Sequence, residues 1–308
     1  MRVAITGASG LIGGALARSL TADGHEVQRM VRRPAHDMAE IEWRPSSGYV
    51  DTGRLAGADA VVHLAGAPLG PARWTRRYKR LLRDSRVQGT RTLADALAGM
   101  DAPPPRLVSG SAVGFYGDTG AARTGEDGPR GRGFLAELVD DWEGAAAPAE
   151  EAGIAVAHAR TGVVLARSGG LLGTLLPLFR LGLGARLGDG RQYVSRIALE
   201  DEVHALRFLL ERPGITGPVN LAAPEPVTNA DYTRAVARAV RRPAVLAVPG
   251  FAMRAALGGF ADEAALVSQR VVPERLLTEG YSFRRPELSG ALSDIARVPA
   301  GAYGGMYE

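Results

Sequence analysis

Cysteine is missing from all 308 residues, and lysine occurs only once, at Lys79. Without cysteine there are no disulfides, no thiolate metal sites and no cysteine nucleophile, which suits a reducing compartment; the cytoplasm is the expectation. The five histidines, at positions 25, 36, 63, 158 and 204, are dispersed without paired ligand spacing, so no metal site is expected. No basic segment followed by an apolar stretch comes after Met1, and no signal or transit peptide is expected. The longest uncharged apolar stretch, around 171–179, is too short for a bilayer and contains Pro177, so a soluble protein is expected. A Gly-x-Ser-x-Gly elbow is lacking, and no lysine follows the first glycines, which argues against a hydrolase and an ATPase.

Arginine, in contrast, is abundant: 36 of the 37 basic residues, with a net charge of +4. Seven basic residues fall between Arg73 and Arg86, but Asp84 interrupts them and no aromatic residues alternate with them in a groove-like pattern. Polymer binding is therefore not expected; the cluster reflects the composition of the whole chain. With 46% apolar residues the chain is long enough for one large core or two modest ones.

Apolar stretches of strand length alternate with longer helical patterns through the first half. Strands are predicted at 2–6, 26–31, 60–64, 106–109 and 155–159, and crossover helices at 11–23, 79–99 and 134–153. This is the pattern of an α/β fold with a doubly wound parallel sheet of Rossmann type. From 167 onward glycines crowd the sequence, and a loop-rich stretch is predicted there, then a helix at 202–211 with Asp201 at its start and a short strand at 219–222. A cofactor domain is predicted at 1–165, with 195–212 returning to it. A smaller, mostly helical substrate-binding portion is predicted at 166–194 and 213–292, and a poorly ordered tail at 293–308.

The opening strand runs straight into Thr6, Gly7, Ala8, Ser9, Gly10, Leu11, Ile12 and Gly13, and an amphipathic helix follows. Three glycines at this spacing and in this place suit a dinucleotide: Gly7 for a tight turn, Gly10 for close approach of a pyrophosphate, Gly13 for helix against strand. Nineteen positions on stand Arg32 and Arg33, where an NAD site would carry an acid for the ribose 2′-hydroxyl. Guanidinium bonds to a 2′-phosphate, each worth about 1.5–3 kcal/mol, favour NADP(H) over NAD(H); solvated surface arginines are the alternative. At the third strand His63, Leu64, Ala65 and Gly66 are candidates to pass close to an adenosine or nicotinamide ribose, with helix packing as the competing explanation. Arg86 interrupts an apolar helical stripe made by Leu82, Leu93 and Leu97, so it needs a partner: cofactor phosphate or ribose, or a structural ion pair.

Together these segments resemble the extended short-chain dehydrogenases/reductases. Ser109 to Gly117 look like that superfamily's serine-rich strand end with its Tyr-Gly, and 197–203 resemble its late acidic motif. A narrower likeness is to an atypical, epimerase-like subgroup of the NAD-dependent epimerase/dehydratase relatives with an added C-terminal domain. It rests on Arg73, Trp74, Thr75, Lys79, Ser85, Arg86, Gly89 and Thr90, on Gly114 to Gly117, on Arg160 to Val164, and on Gln269, Arg270, Val271, Pro273, Leu276, Leu277, Gly280, Tyr281 and Phe283. The resemblance implies a nicotinamide cofactor and an oxidoreductase or epimerase acting on a small polar substrate such as a nucleotide sugar.

One departure bears on mechanism. The superfamily's proton relay uses Tyr-x-x-x-Lys, and where that dyad is expected Phe134, Leu135 and Leu138 stand instead. Ser111 and Tyr116 are then the leading catalytic candidates, with a packed Tyr116 whose hydroxyl is paired as the alternative. Ser109, Arg160 and Thr161 are cofactor candidates at strand ends. Lys79, Arg196 and Asp201 are substrate candidates; a solvated lysine and a helix-capping aspartate are the competing readings. Arg196 stands where the subgroup tends to carry tryptophan. A non-catalytic NADPH-binding regulator is the second functional reading.

Overall fold

The computed structural model describes residues 1–70 and 73–296. The first half alternates strand and helix. β1 (Arg2–Thr6) leads to α1 (Leu11–Ala22), β2 (Glu26–Val31), β3 (Glu40–Arg44), β4 (Tyr49–Val50), the short α2 (Thr52–Leu55) and β5 (Ala60–His63). Then come α3 (Arg76–Ala98), β6 (Arg106–Ala112), α4 (Phe134–Gly144), α5 (Ala147–Glu151), β7 (Ala155–Thr161) and β8 (Val163–Leu165). The second half holds α6 (Gly170–Arg180), β9 (Ala185–Leu187), β10 (Tyr193–Val194), β11 (Arg196–Ala198), α7 (Leu199–Glu211) and β12 (Gly217–Leu221). It ends with β13 (Val227–Thr228), α8 (Asn229–Ala239), β14 (Leu246–Val248), α9 (Gly250–Leu257), α10 (Glu274–Thr278) and α11 (Leu288–Ala296).

The main sheet has the order β12-β7-β6-β5-β1-β2-β3-β4, parallel except for the hairpin of β3 with β4. Sequence order reverses between β1 and its two neighbours β5 and β2, which makes the carboxyl end of β1 the switch point where such sheets open a crevice. Val3, Ala4 and Ile5 are wholly buried, as a central strand covered on both faces requires. One face packs Leu16 and Leu20 of α1 and Leu206 and Leu209 of α7; the other packs Leu93 and Leu97 of α3 with Trp43 and Ile41. A third apolar cluster joins α6, α8 and α11 through Leu172, Leu176, Tyr232, Val236 and Leu292.

The Rossmann-type sheet is as predicted, and several elements differ. The strands β3 and β4 fill a stretch for which no element was predicted. The helix predicted at 134–153 is two helices, because Pro148 in the first turn of α5 cannot continue the ladder of α4. The glycine-rich stretch contains a helix, α6, since Leu172, Leu176 and Phe179 bury one face despite Gly170, Gly173 and Pro177. β12 pairs with β7, so 217–221 extend the main sheet. Of the predicted tail, 293–296 close α11 and 297–308 lie outside the described residues. Among the described residues no helix is long and apolar enough to cross a membrane.

Candidate functional site

The glycine turn is built backbone against backbone. Gly7 has φ +68°, and a Cβ there would lie 2.8 Å from the Leu64 carbonyl oxygen; a Cβ at Gly13 would lie 2.3 Å from that of Gly7. Thr6 clamps the two strand ends together: its Oγ1 accepts from the amides of Leu64 (3.0 Å) and Ala65 (3.1 Å) and is hydrogen-bonded to His63 Nδ1 (2.8 Å). The N-cap of α1 is Gly10, which offers no side-chain cap, so the first-turn amides have no acceptor from a capping side chain. Ser9 and Gly10 are exposed, and Leu11 and Ile12 are half-buried. A small-residue cradle with an uncapped helix start fits a pyrophosphate.

His63 itself is not a cofactor contact. It is 0% exposed, edge-on to Trp43, and burial pushes its pKa down to about 4, so it is a neutral core residue that orients Thr6. The Leu64 carbonyl and Ala65 amide lie against Gly7, 2.8 and 3.0 Å from where a Cβ would stand, and Gly66 lies against Arg86.

The two arginines after β2 differ. Arg33 is held by Glu40 through two 2.7 Å bonds, Nη1 to Oε2 and Nη2 to Oε1, which engages it with a carboxylate rather than leaving it free for a phosphate. Arg32 is exposed, and its guanidinium makes no ion pair among the described residues. Arg86, 9% exposed, lies against Gly66 and over the Trp142 ring at 5.2 Å. Its Nη1 donates to its own helix at the Leu82 carbonyl (3.3 Å), and burial lowers its pKa to about 10. The competing reading of Arg86, a structural ion pair, finds no carboxylate partner among the described residues.

The serine-rich strand end proves to be internal. Strand alternation turns Ser109, Ser111 and Arg160 toward α4. Ser111 donates to Glu143 (2.5 Å), and Glu143 also takes both Nε and Nη2 of Arg160 (2.8 and 2.7 Å). Arg160 Nη1 donates to the Tyr116 hydroxyl (2.9 Å), which donates to Asn220 Oδ1 (2.8 Å). Tyr116 is 3% exposed and burial raises its pKa further from neutrality. This network ties α4, β6, β7 and β12 together, and it corrects three expectations: the Ser111 and Tyr116 hydroxyls and the Arg160 guanidinium are committed to protein partners. Ser109, wholly buried with its Oγ 3.4 Å from the Gly110 carbonyl, is likewise enclosed.

Thr161 points to the opposite face, where its hydroxyl donates to Glu202 (2.8 Å) instead of lining a pocket. Asp201 neither caps α7, whose N-cap is Ala198, nor reaches a crevice: its two oxygens accept the amides of Arg284 and Arg285 and anchor the C-terminal segment. Arg196 is 1% exposed, gives Nη2 to the Pro286 carbonyl (3.1 Å) and lies in the core; it is no substrate contact.

Lys79 lies in the first turn of α3. Its ammonium is 3.7 Å from Glu263 and 4.6 Å from the centre of the Phe134 ring. The other Glu263 oxygen accepts the Leu135 amide (2.7 Å) at the start of α4, where Gly133 supplies no cap. Trp74 packs edge-on against both Phe134 and Phe260. Glu263, Glu143 and Glu202 went unnoticed in the sequence because no local motif marks a residue whose partner comes from a distant element.

Residues 3–222 match the NAD dependent epimerase/dehydratase family, and 248–295 match a domain of unknown function, DUF1731. The chain belongs to the NAD dependent epimerase/dehydratase family. An epimerase family protein of Mycobacterium leprae is 48% identical over 298 residues, 97% of this chain and 96% of that protein. The Homo sapiens epimerase family protein SDR39U1 is 36% identical over 299 residues, 96% of this chain and 99% of that protein. A crystal structure of human SDR39U1 with NADPH superposes with a TM-score of 0.87 at 34% identity, covering 96% of this chain and 99% of that one. A relative from Arabidopsis thaliana, 34% identical over 96% of this chain and 86% of that protein, is described as chloroplastic.

Proposed function

We propose that this chain is an NADP(H)-dependent oxidoreductase or epimerase of the cytoplasm, acting on a small polar substrate such as a nucleotide sugar. The observation that carries the cofactor choice is Arg32, an uncommitted guanidinium at the end of β2 where an NAD site would place an acid. Support comes from the uncapped glycine turn and from a relative that was crystallised with NADPH. In this reading the first-turn amides of α1 hold the pyrophosphate, Arg32 holds the 2′-phosphate, and Arg86, buried beside Gly66 without a carboxylate, meets a ribose or phosphate oxygen. Bound there, the nicotinamide supplies or accepts a hydride. Thr6 keeps the two strand ends in register so that Leu64 to Gly66 close the crevice against water. The substrate lies on the side of 166–194 and 222–292.

Calorimetry tests the cofactor assignment. Losing one charge-assisted contact of about 1.5–3 kcal/mol weakens NADPH about 10- to 150-fold in Arg32→Ala and leaves NADH unchanged. Equal affinity of the wild-type protein for NADH and NADPH would sink it. A second reading, a non-catalytic NADPH-binding regulator, is favoured by the committed hydroxyls of Ser111 and Tyr116. Oxidation of NADPH in the presence of aldehydes, ketones or nucleotide sugars separates the two.

A further inference from the structure

We propose that Lys79 stands in for the missing phenol: its ammonium fronts the nicotinamide and is the group that gives the substrate oxygen its proton. The inference rests on the NADP(H) reading and assigns the acid within that same site.

Composition supplies the first argument. In a chain with 36 arginines and one lysine, an ion pair to Glu263 has no need of an ammonium, since a guanidinium grips a carboxylate better. Lysine differs from arginine in being able to release its proton, and the chain keeps one at this position.

Position supplies the second. Lys79, Leu82 and Arg86 fall on one face of α3, and Arg86 borders Gly66 at the carboxyl end of β5. A crossover helix runs back along the sheet, so its amino-terminal end stands over the carboxyl ends of the strands. Lys79 is two turns nearer that end than Arg86, about 10 Å along the axis, and so stands over the crevice. The resemblance puts the relay's dyad where Phe134, Leu135 and Leu138 stand, and the Lys79 ammonium is 4.6 Å from the centre of the Phe134 ring. A cation from α3 therefore occupies the neighbourhood that a hydroxyl from α4 would have served.

Glu263 is fixed by its bond to the Leu135 amide, and its free oxygen stands 3.7 Å from Nζ, near enough to orient the ammonium and too far to use a donor. Lys79 makes no hydrogen bond among the described residues, so its three N–H donors await a partner. A Cβ at Gly259 would come 3.7 Å from Nζ; the glycine leaves that side uncovered, and one third of the side chain is exposed.

The balance is simple. In a reduction the carbonyl carbon gains the hydride that NADPH supplies, the carbon–oxygen double bond becomes single, and the oxygen takes a proton from Nζ. The neutral amine regains a proton from water. Oxidation runs the same atoms in reverse, with the amine taking the hydroxyl proton.

A sole lysine makes the test direct. Reductive methylation with 13C-formaldehyde labels Lys79 and the amino terminus alone, giving two dimethylamino signals. Saturating NADP⁺ is expected to shift the Lys79 signal and to give Overhauser effects from the nicotinamide ring protons to its methyls. Adenosine 2′,5′-bisphosphate, which lacks the nicotinamide, is expected to leave it in place. On unlabelled protein, NADP⁺ slows trinitrophenylation of Lys79 at least tenfold and the bisphosphate does not. A Lys79 signal indifferent to bound NADP⁺ overturns the inference alone, whereas failure of both probes to bind by calorimetry overturns the cofactor reading with it. For any carbonyl compound the protein reduces, Lys79→Arg lowers kcat at least 100-fold at unchanged NADPH affinity; an unchanged kcat overturns the proton role.

Discussion

Glu202 offers a stability test whose size follows from one buried carboxyl. It is 0% exposed in the first turn of α7; Oε1 accepts from Thr161, and Oε2 has no partner among the described residues. Burial pushes its pKa from 4.5 up to about 8. Between those values the folded chain holds the proton and the unfolded chain has released it. The stabilisation from this group is therefore fully present below about pH 4.5 and is lost progressively as pH rises toward 8. The slope is about 1.4 kcal/mol per pH unit, so moving from pH 5.5 to 7.5 costs about 2–3 kcal/mol. Glu202→Gln removes the titration while keeping the shape. Urea unfolding of both proteins at the two pH values, without cofactor, cancels every other titrating group in the double difference. The wild-type protein is expected to lose about 2–3 kcal/mol relative to the variant. Parallel stability at both pH values would refute the reasoning, as would a wild-type gain.

Three further outcomes follow from the site. Gly13→Ala drives a methyl into the Gly7 carbonyl and is expected to cost about 1–3 kcal/mol in urea unfolding and to weaken NADPH at least tenfold; wild-type values for both would contradict the close packing of turn and helix. Arg86→Leu removes a buried cation that has no carboxylate, so thermal stability is held or raised while NADPH affinity falls at least tenfold; lost stability with intact affinity would mark Arg86 as structural. Glu143→Ala strands Arg160 in the interior and is expected to destabilise the fold by about 3–5 kcal/mol, measured by urea unfolding, whereas a variant as stable as the wild type would mean that the network is not what holds β6, β7 and α4 together.

The opening strand and its glycine turn were legible because the strand, the three glycines and the helix that follows are contiguous in sequence, whereas the contacts of Thr6 and Gly7 with Leu64 and Ala65 were not. β3 was not, since Glu40, Glu42 and Arg44 alternate with Ile41 and Trp43 and the charges hide a strand whose apolar side covers α3. α6 was hidden by its glycines and proline, and only burial against α8 and α11 makes it a helix. At the site, residue types were easier to read than directions. Ser111 and Arg160 sit at the ends of the right strands, but their register pairs them and turns both toward Glu143. Thr161, one residue on, faces the other layer and meets Glu202. Lys79 and Glu263 come from opposite halves of the chain, and no spacing rule joins them.

A crystal structure of this chain grown with NADPH tests the central claim most directly. The account predicts the pyrophosphate over the first turn of α1, the 2′-phosphate within hydrogen-bond distance of Arg32, and the nicotinamide beside Lys79. Cofactor bound away from Gly7 to Gly13, or a 2′-phosphate that leaves Arg32 in solvent, would contradict it.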